Sequence, residues 1–388
     1  MKIGFDVSQT AEDMAGCGFF SKQIISHLLE MDKENQYILY PLFYGYRHPD
    51  YKKAFQSNQQ NVSNYFVNSS LNNFNQKWED NLDKSELLGN PDIIHSNNFS
   101  FPSNVSAKKV MTIYDLGYLD CPEYTTEANR LVCLEGAFEA SIYADHIVTI
   151  SEFSKQCFMK YFPHYPEKRI SVLYLGSRPT LKKITDTESI EKVKNKFGLC
   201  ESFWLGVGTI EPRKNYRLLL EAYAQLVKDQ NESKPLYIAG GKGWMEQDIQ
   251  DRINDLGISD KIQFLGYVSD DELSVLYSKC FAFIYPSLYE GFGLPVLEAM
   301  SCGAPVITSN ISSIPEVVGN AGLLINPIEV KSLLEAMVTI ESNNDLRNEL
   351  ILKSEIQAQK FSWYTAAEQM LDIYQKVMIT ESWYKKNQ

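Results

Sequence analysis

Short apolar runs alternate along this chain with segments whose apolar positions recur every three to four residues, and the whole alternation occurs twice. In the first half, KIGFDV (2–7), YILYPLFY (37–44), DIIHS (92–96), VMTIYD (110–115), HIVTIS (146–151) and ISVLY (170–174) read as buried strands. In the second half, FWLGVG (203–208), PLYIAG (235–240), IQFLGY (262–267), FAFIYP (281–286), APVITS (304–309) and GLLIN (322–326) read the same way. Nearly continuous apolar strands separated by helical patterns indicate parallel sheets covered on both faces, an α/β doubly wound architecture.

At 388 residues the chain is long enough for two such domains of roughly 100–200 residues each. The stretch from Arg178 to Lys196 is charged and poor in large apolar side chains, as a connection between domains tends to be. The expected domains are therefore 1–180 and 190–365. The tract at 57–76, rich in Asn, Gln and Ser, is too polar for a core strand and reads as a surface loop. Near the end, Ala367, Met370, Leu371, Ile373, Tyr374 and Val377 fall on one helix face.

Composition narrows the function classes. Hydrophobic content of 44% with 22% charged residues describes a globular chain with a large core. A formal net charge of −12 speaks against a nucleic-acid partner, because no general surplus of cations exists to neutralise a phosphate backbone. The seven cysteines are scattered and never spaced C-x-x-C, so neither a disulfide framework nor a zinc site is indicated. The opening MKIGFDVSQT has no signal-peptide pattern, and no run approaches about 18 uninterrupted apolar residues. These features predict a cytoplasmic protein.

Three glycine-containing turns follow strands of the second half. In YEGFGLPVLEAMSC (289–302) the strand FAFIYP runs into a helix that Pro295 can start, and helix N-termini at strand ends attract phosphate. Gly291 and Gly293 allow close backbone approach, while Glu290 and Glu298 could accept hydrogen bonds from sugar and ribose hydroxyls. Alternatively Glu298 is an ordinary helix residue and Glu290 a loop acid beside a helix N-terminus. In GVGTIEPRKN (206–215), Arg213 and Lys214 could clamp a pyrophosphate, or form a solvated basic pair. AGGKGW (239–244) adds a third turn.

The second half resembles, collinearly and over nearly its whole length, the donor-binding domain of glycosyltransferase family 4, retaining enzymes of the GT-B fold. Besides the two segments just quoted, PLYIAGGKGW, IQFLGYVSDDEL and the continuation through GAPVITSNISSIPEVVGNAGLLINP carry the likeness. Glu290 and Glu298 match the family's E-x7-E signature. The first half is similar through Gly16-Cys17-Gly18, VMTIYDLGYLDCPE (110–123) and ADHIVTISEFSKQ (144–156). The resemblance implies two Rossmann-like domains facing a cleft, with a C-terminal helix (366–388) crossing back to the first.

It further implies a nucleotide-sugar donor in the second domain and a glycan or lipid-linked acceptor mainly in the first. Arg213 and Lys214 would bind the diphosphate, Glu298 the ribose and Glu290 the transferred sugar. Backbone amides of Phe292, Gly293 and Leu294 would complete the site, the base would lie near Gly240 and Tyr267, and Gly18 would approach the phosphates. No cofactor and no metal are expected. Where the family commonly has His-Asp, this chain has Tyr114-Asp115. Tyrosine is a poor base at neutral pH, but in a front-face mechanism the leaving phosphate takes the acceptor proton, and Asp115 could orient the acceptor. Both residues could equally just end a buried strand.

The RKN and EGFGLP motifs resemble bacterial mannosyltransferases, making GDP-mannose the first donor choice. An Asn- and Lys-rich composition points to O-antigen, capsule or exopolysaccharide assembly in a low-GC bacterium. The alternatives are a phosphorolytic or hydrolytic relative, or a silent sugar-nucleotide-binding partner. SKQCFMKYFPHYPEKR (154–169) and the tail SWYKKNQ (382–388) mix cations with aromatics, a composition suited to peripheral contact with the inner face of a membrane or to ordinary core packing.

Overall fold

The computed structural model describes residues 1–11, 16–43, 50–67, 69, 83–99, 102, 104–229, 234–241 and 246–386. The chain divides into two compact units, Met1–Leu175 with Ser362–Gln388, and Gly176–Phe361.

In the first unit the described strands are β1 (Lys2–Asp6), β2 (Gln36–Tyr40), β3 (Val62–Asn64), β4 (Ile93–Ser96), β5 (Lys108–Ile113), β6 (His146–Thr149) and β7 (Ile170–Val172). They form one parallel sheet in the order β3-β2-β1-β4-β5-β6-β7. The expected strand at 37–44 stops at Tyr40; the short Val62–Asn64 strand lies within the tract read as loop. At the sheet edge a strand needs only one paired flank, so polar residues suffice there. Helices α1 (Gly16–Met31), α2 (Glu127–Tyr143) and α3 (Glu152–Tyr161) connect the strands. Ser151 caps α3 by accepting from Ser154 N–H at 3.0 Å.

The second unit holds β8 (Trp204–Val207), β9 (Leu236–Ala239), β10 (Ile262–Gly266), β11 (Ala282–Tyr285), β12 (Val306–Ser309) and β13 (Gly322–Ile325). Their order is β10-β9-β8-β11-β12-β13, again parallel. Its helices include α4 (Thr187–Phe197), α5 (Tyr216–Asp229), α6 (Glu246–Leu256), α7 (Asp270–Lys279), α8 (Leu294–Ser301), α9 (Val330–Ser342) and α10 (Asn344–Ala358). Trp204, Leu219, Tyr223, Ile284, Leu333 and Met337 lie in one core between the sheet and its helices.

The stretch read as a connection contains α4, a helix of the second unit. Asp186 caps its start by accepting from Ser189 N–H at 2.8 Å, and left-handed Gly198 ends it. Ile190 and Val193 are its buried side chains, a stripe too narrow to stand out beside its lysines and glutamates. The last long helix, α11 (Trp363–Ile379), belongs to the first unit. Its Trp363 meets Phe19 and Phe20 of α1 edge-on, with ring centres 5.8 and 6.2 Å apart.

Strand order reverses direction between β1 and β4, and between β8 and β11. In open α/β sheets these reversals leave crevices beyond the strands' carboxyl ends. In the second unit Leu205 pairs with Phe283, so the loops leaving β8 and β11 emerge side by side.

Candidate functional site

The β8 loop ends in a tight turn, Pro212–Lys214, followed by left-handed Asn215 (φ 57°). The amide of Asn215 donates to the carbonyls of Pro286 and Pro327 at 3.0 and 2.7 Å. Leu288 N–H in turn donates to the Arg213 carbonyl at 2.8 Å. The β8 and β11 loops are thereby stitched together, and the two cations cannot drift from the glycine turn.

Glu290 lies at the centre of this arrangement and is 7% exposed. Its Oε1 accepts from Lys214 Nζ at 2.7 Å, the Tyr285 hydroxyl at 2.7 Å and the Ser287 hydroxyl at 2.6 Å. Its Oε2 accepts from Arg213 Nη1 at 2.6 Å. Arg213 also donates to Glu211 at 2.8 Å and to the Tyr289 carbonyl at 2.9 Å. Lys214 further donates to the Tyr285 hydroxyl and stands 4.9 Å from that ring's centre. Burial pushes the Glu290 carboxyl up, but Lys214, Arg213 and the Ser287 hydroxyl outweigh it and hold it down at about 2. Burial depresses the Lys214 ammonium, with Glu290 opposing and Arg213 adding to the depression. The cluster is two cations held by two carboxylates, with the ionised Glu290 bridging both cations and Glu211 pairing with Arg213 alone.

Helix α8 begins at Gly293, whose φ of 103° is left-handed and whose added Cβ would meet Ile314 Cδ1 at 2.6 Å. No side chain caps this end, Pro295 has no N–H, and the N–H groups of Gly293 and Leu294 donate to nothing among the described residues. Phe292 is buried against Phe361, ring centres 5.8 Å apart. The positive end of α8 therefore carries no internal cap, three residues beyond the Glu290 that pairs with Arg213 and Lys214.

Glu298, 4% exposed on α8, is occupied differently. Its two oxygens accept from Arg178 Nε at 2.6 Å and Nη2 at 3.0 Å. Burial raises its carboxyl above the ordinary value despite that pairing. At the end of β9, Gly240 (φ 150°) packs backbone to backbone on Gly208; a Cβ there would meet the Gly208 carbonyl oxygen at 2.2 Å. Tyr267, just past β10, is 86% exposed. Lys242, Gly243 and Trp244 of the third glycine turn lie outside the described residues.

The expected residues of the first unit are placed within that unit. Gly18 is buried near the start of α1. Tyr114, following β5, is buried and donates to the Asn97 carbonyl at 3.0 Å, with the Cys17 carbonyl 3.4 Å from the same hydroxyl. Asp115 accepts from Gly117 N–H at 2.8 Å. Of the aromatics considered for membrane contact, Phe158 and Phe162 are core residues, and Trp383 packs on Tyr165 and Arg169. Lys155 and Lys160 are paired with Glu167 and Asp120. No helix among the described residues is long and apolar enough to cross a membrane.

The structure thus brings Arg213, Lys214, Glu290 and the α8 amides together, with Glu298 on the same helix. Sequence reasoning missed Arg178, Tyr285, Ser287 and Glu211. The hydroxyls of Tyr285 and Ser287 precede Glu290 by five and three positions, a local signal that could have been used. Arg178 lies 120 positions from Glu298 and gives no such signal.

The family model for Glycosyl transferases group 1 matches residues 188–356. O-antigen chain mannosyltransferase B of Escherichia coli is 36% identical over 285 residues, 73% of this chain and 74% of that protein. The serotype-specific mannosyltransferase WbdA of Escherichia coli is 30% identical over 293 residues, 73% of this chain but 36% of that protein. Among solved structures, Anabaena Alr3699/HepE in complex with UDP and glucose superposes with a TM-score of 0.72 at 20% identity, covering 97% of this chain and 100% of that one. WaaG, a glycosyltransferase involved in lipopolysaccharide biosynthesis, does so with a TM-score of 0.67 at 16% identity, covering 96% and 99%. With two parallel-sheet units of GT-B type and a relative of this similarity along most of its length, the chain belongs to the group 1 glycosyl transferases.

Proposed function

We propose that this glycosyltransferase moves mannose from GDP-mannose to a glycan or lipid-linked acceptor in bacterial surface polysaccharide assembly, with retention of configuration and without a metal ion. The observation that carries the reading is the juxtaposition of Arg213 and Lys214 with the unbonded amides that open α8. The choice of sugar is supported by the mannosyltransferases named above.

The diphosphate would lie on the Gly293 and Leu294 N–H groups, with Arg213 and Lys214 neutralising it. Charge grows on the leaving phosphate as the anomeric C–O bond breaks, so cations and a helix N-terminus fixed beside it stabilise the transition state more than the ground state. The acceptor oxygen bonds to the anomeric carbon on the face the phosphate leaves, and its proton passes to a phosphate oxygen. No protein base is needed. Glu290 keeps Lys214 and Arg213 oriented and can contact the sugar through Oε2, since Oε1 already accepts three hydrogen bonds. Glu298 would receive the ribose hydroxyls.

Incubation with radiolabelled GDP-mannose and a panel of lipid-linked glycans, in the presence of EDTA, tests the reading. Transfer to at least one acceptor, undiminished by chelator and giving an α-mannoside by NMR, is expected. Loss of transfer in EDTA with rescue by a divalent ion would contradict the metal-free part. Transfer from UDP-sugars alone would contradict the donor.

A further inference from the structure

We propose that Arg178 is a positioning residue for donor recognition: its guanidinium fixes the Glu298 carboxylate so that the carboxylate's remaining acceptor sites take both hydroxyls of the donor ribose. This rests on the reading that Glu298 receives the ribose.

An ionised carboxylate offers about four lone-pair sites. Arg178 Nε and Nη2 use one on each Glu298 oxygen, at 2.6 and 3.0 Å. This fork-to-fork pairing sets the carboxylate plane and leaves one site per oxygen, matching a vicinal diol. The guanidinium is held from its far side as well. Its Nη1 donates to Asp270 Oδ1 at the start of α7, and the other Asp270 oxygen accepts from the Thr180 hydroxyl. The segment from Arg178 to Thr180 is thereby tied to two helices of its own unit.

Burial makes the pairing necessary. Glu298 is almost fully enclosed, and a carboxyl in that setting drifts toward its neutral form. A protonated acid would offer a donor where the diol needs an acceptor. Arg178 opposes this by charge and by two hydrogen bonds, which Lys cannot reproduce with a single point charge.

Calorimetric titration of the full chain with GDP and with 2′,3′-dideoxy-GDP separates this role from a merely structural one, with melting temperature as the check on folding. The wild type should prefer GDP by roughly tenfold or more, because a site built for hydroxyls rejects the analogue lacking them. Glu298→Ala should lose that preference. Arg178→Ala should lose it to a similar degree, with affinity for the dideoxy probe changed by less than about threefold, since the lost contacts are those to the hydroxyls. Arg178→Lys, which keeps a cation there, should lose most of it too. Loss in Glu298→Ala with full retention in both Arg178 variants would overturn the proposal alone. Equal affinity for the two probes in the wild type, or retention in Glu298→Ala, would overturn the ribose reading and the proposal with it.

Discussion

At the residue scale, two glutamates eight positions apart hold their carboxyls in opposite ways. Glu290 accepts from two cations and two hydroxyls and is held at about 2, whereas Glu298 faces one guanidinium and is pushed upward by burial. A carboxyl depressed in the folded state stabilises the protein above its ordinary value near 4.5, and that stability is lost as pH falls toward about 2. Replacing it strands a buried ammonium. Glu290→Gln should therefore lower stability at pH 7 by on the order of 2–4 kcal/mol. Thermal melts should show the gap to wild type narrowing between about pH 4.5 and 2. A gap that stays constant through that window would show that Glu290 is not the ionised partner of Lys214 and Arg213.

At the element scale, the site depends on how strand ends are finished. Gly208 and Gly240 terminate neighbouring strands and touch through their backbones, so no side chain fits between them. Gly240→Ala drives a methyl into a carbonyl in a left-handed conformation and should cost roughly 3 kcal/mol or more. Gly257, which follows α6, has φ 68° but open space around its Cβ position. Gly257→Ala should cost only about 1 kcal/mol, the conformational part alone. Urea unfolding of the two variants checks this; equal losses would mean that the Gly208–Gly240 approach is not constraining. The same scale explains what could be read in advance. Strands buried on both faces are plain apolar runs, and glycine turns after them mark where ligands can approach, so both sheets and the turns that carry Arg213, Lys214 and Glu290 were legible, whereas the pairing of Glu290 with the two cations and with the Tyr285 and Ser287 hydroxyls was not. Helix α4 was not, because its buried stripe is essentially Ile190 and Val193 within a charged stretch. Nor was the Val62–Asn64 strand, whose pairing with β2 relies on backbone groups and not on apolar side chains.

At the scale of the whole molecule, each unit repeats one plan, a parallel sheet with a reversal of strand order, but the two crevices carry different chemistry. In the first unit the strand ends hold a buried hydrogen-bonded network around one carboxyl, Asp6, with no cation among its bonded partners in the described residues. Burial pushes Asp6 up to about 6 despite hydrogen bonds from Ser8 and Asn97, and the Asn97 carbonyl receives Tyr114. In the second unit the strand ends hold fixed charges beside an uncapped helix. This asymmetry fits a division of labour in which charge handling belongs to the second unit. Long-range pairs such as Arg178 with Glu298 were invisible in sequence because nothing local encodes a partner 120 positions away. The central claim is that Arg213 and Lys214 grip the donor diphosphate, and calorimetric titration of GDP-mannose into wild type and Lys214→Met tests it most directly. The account predicts saturable binding to the wild type and a loss of roughly tenfold or more in the variant, the worth of one charged hydrogen bond. Equal affinity for the two proteins would contradict it.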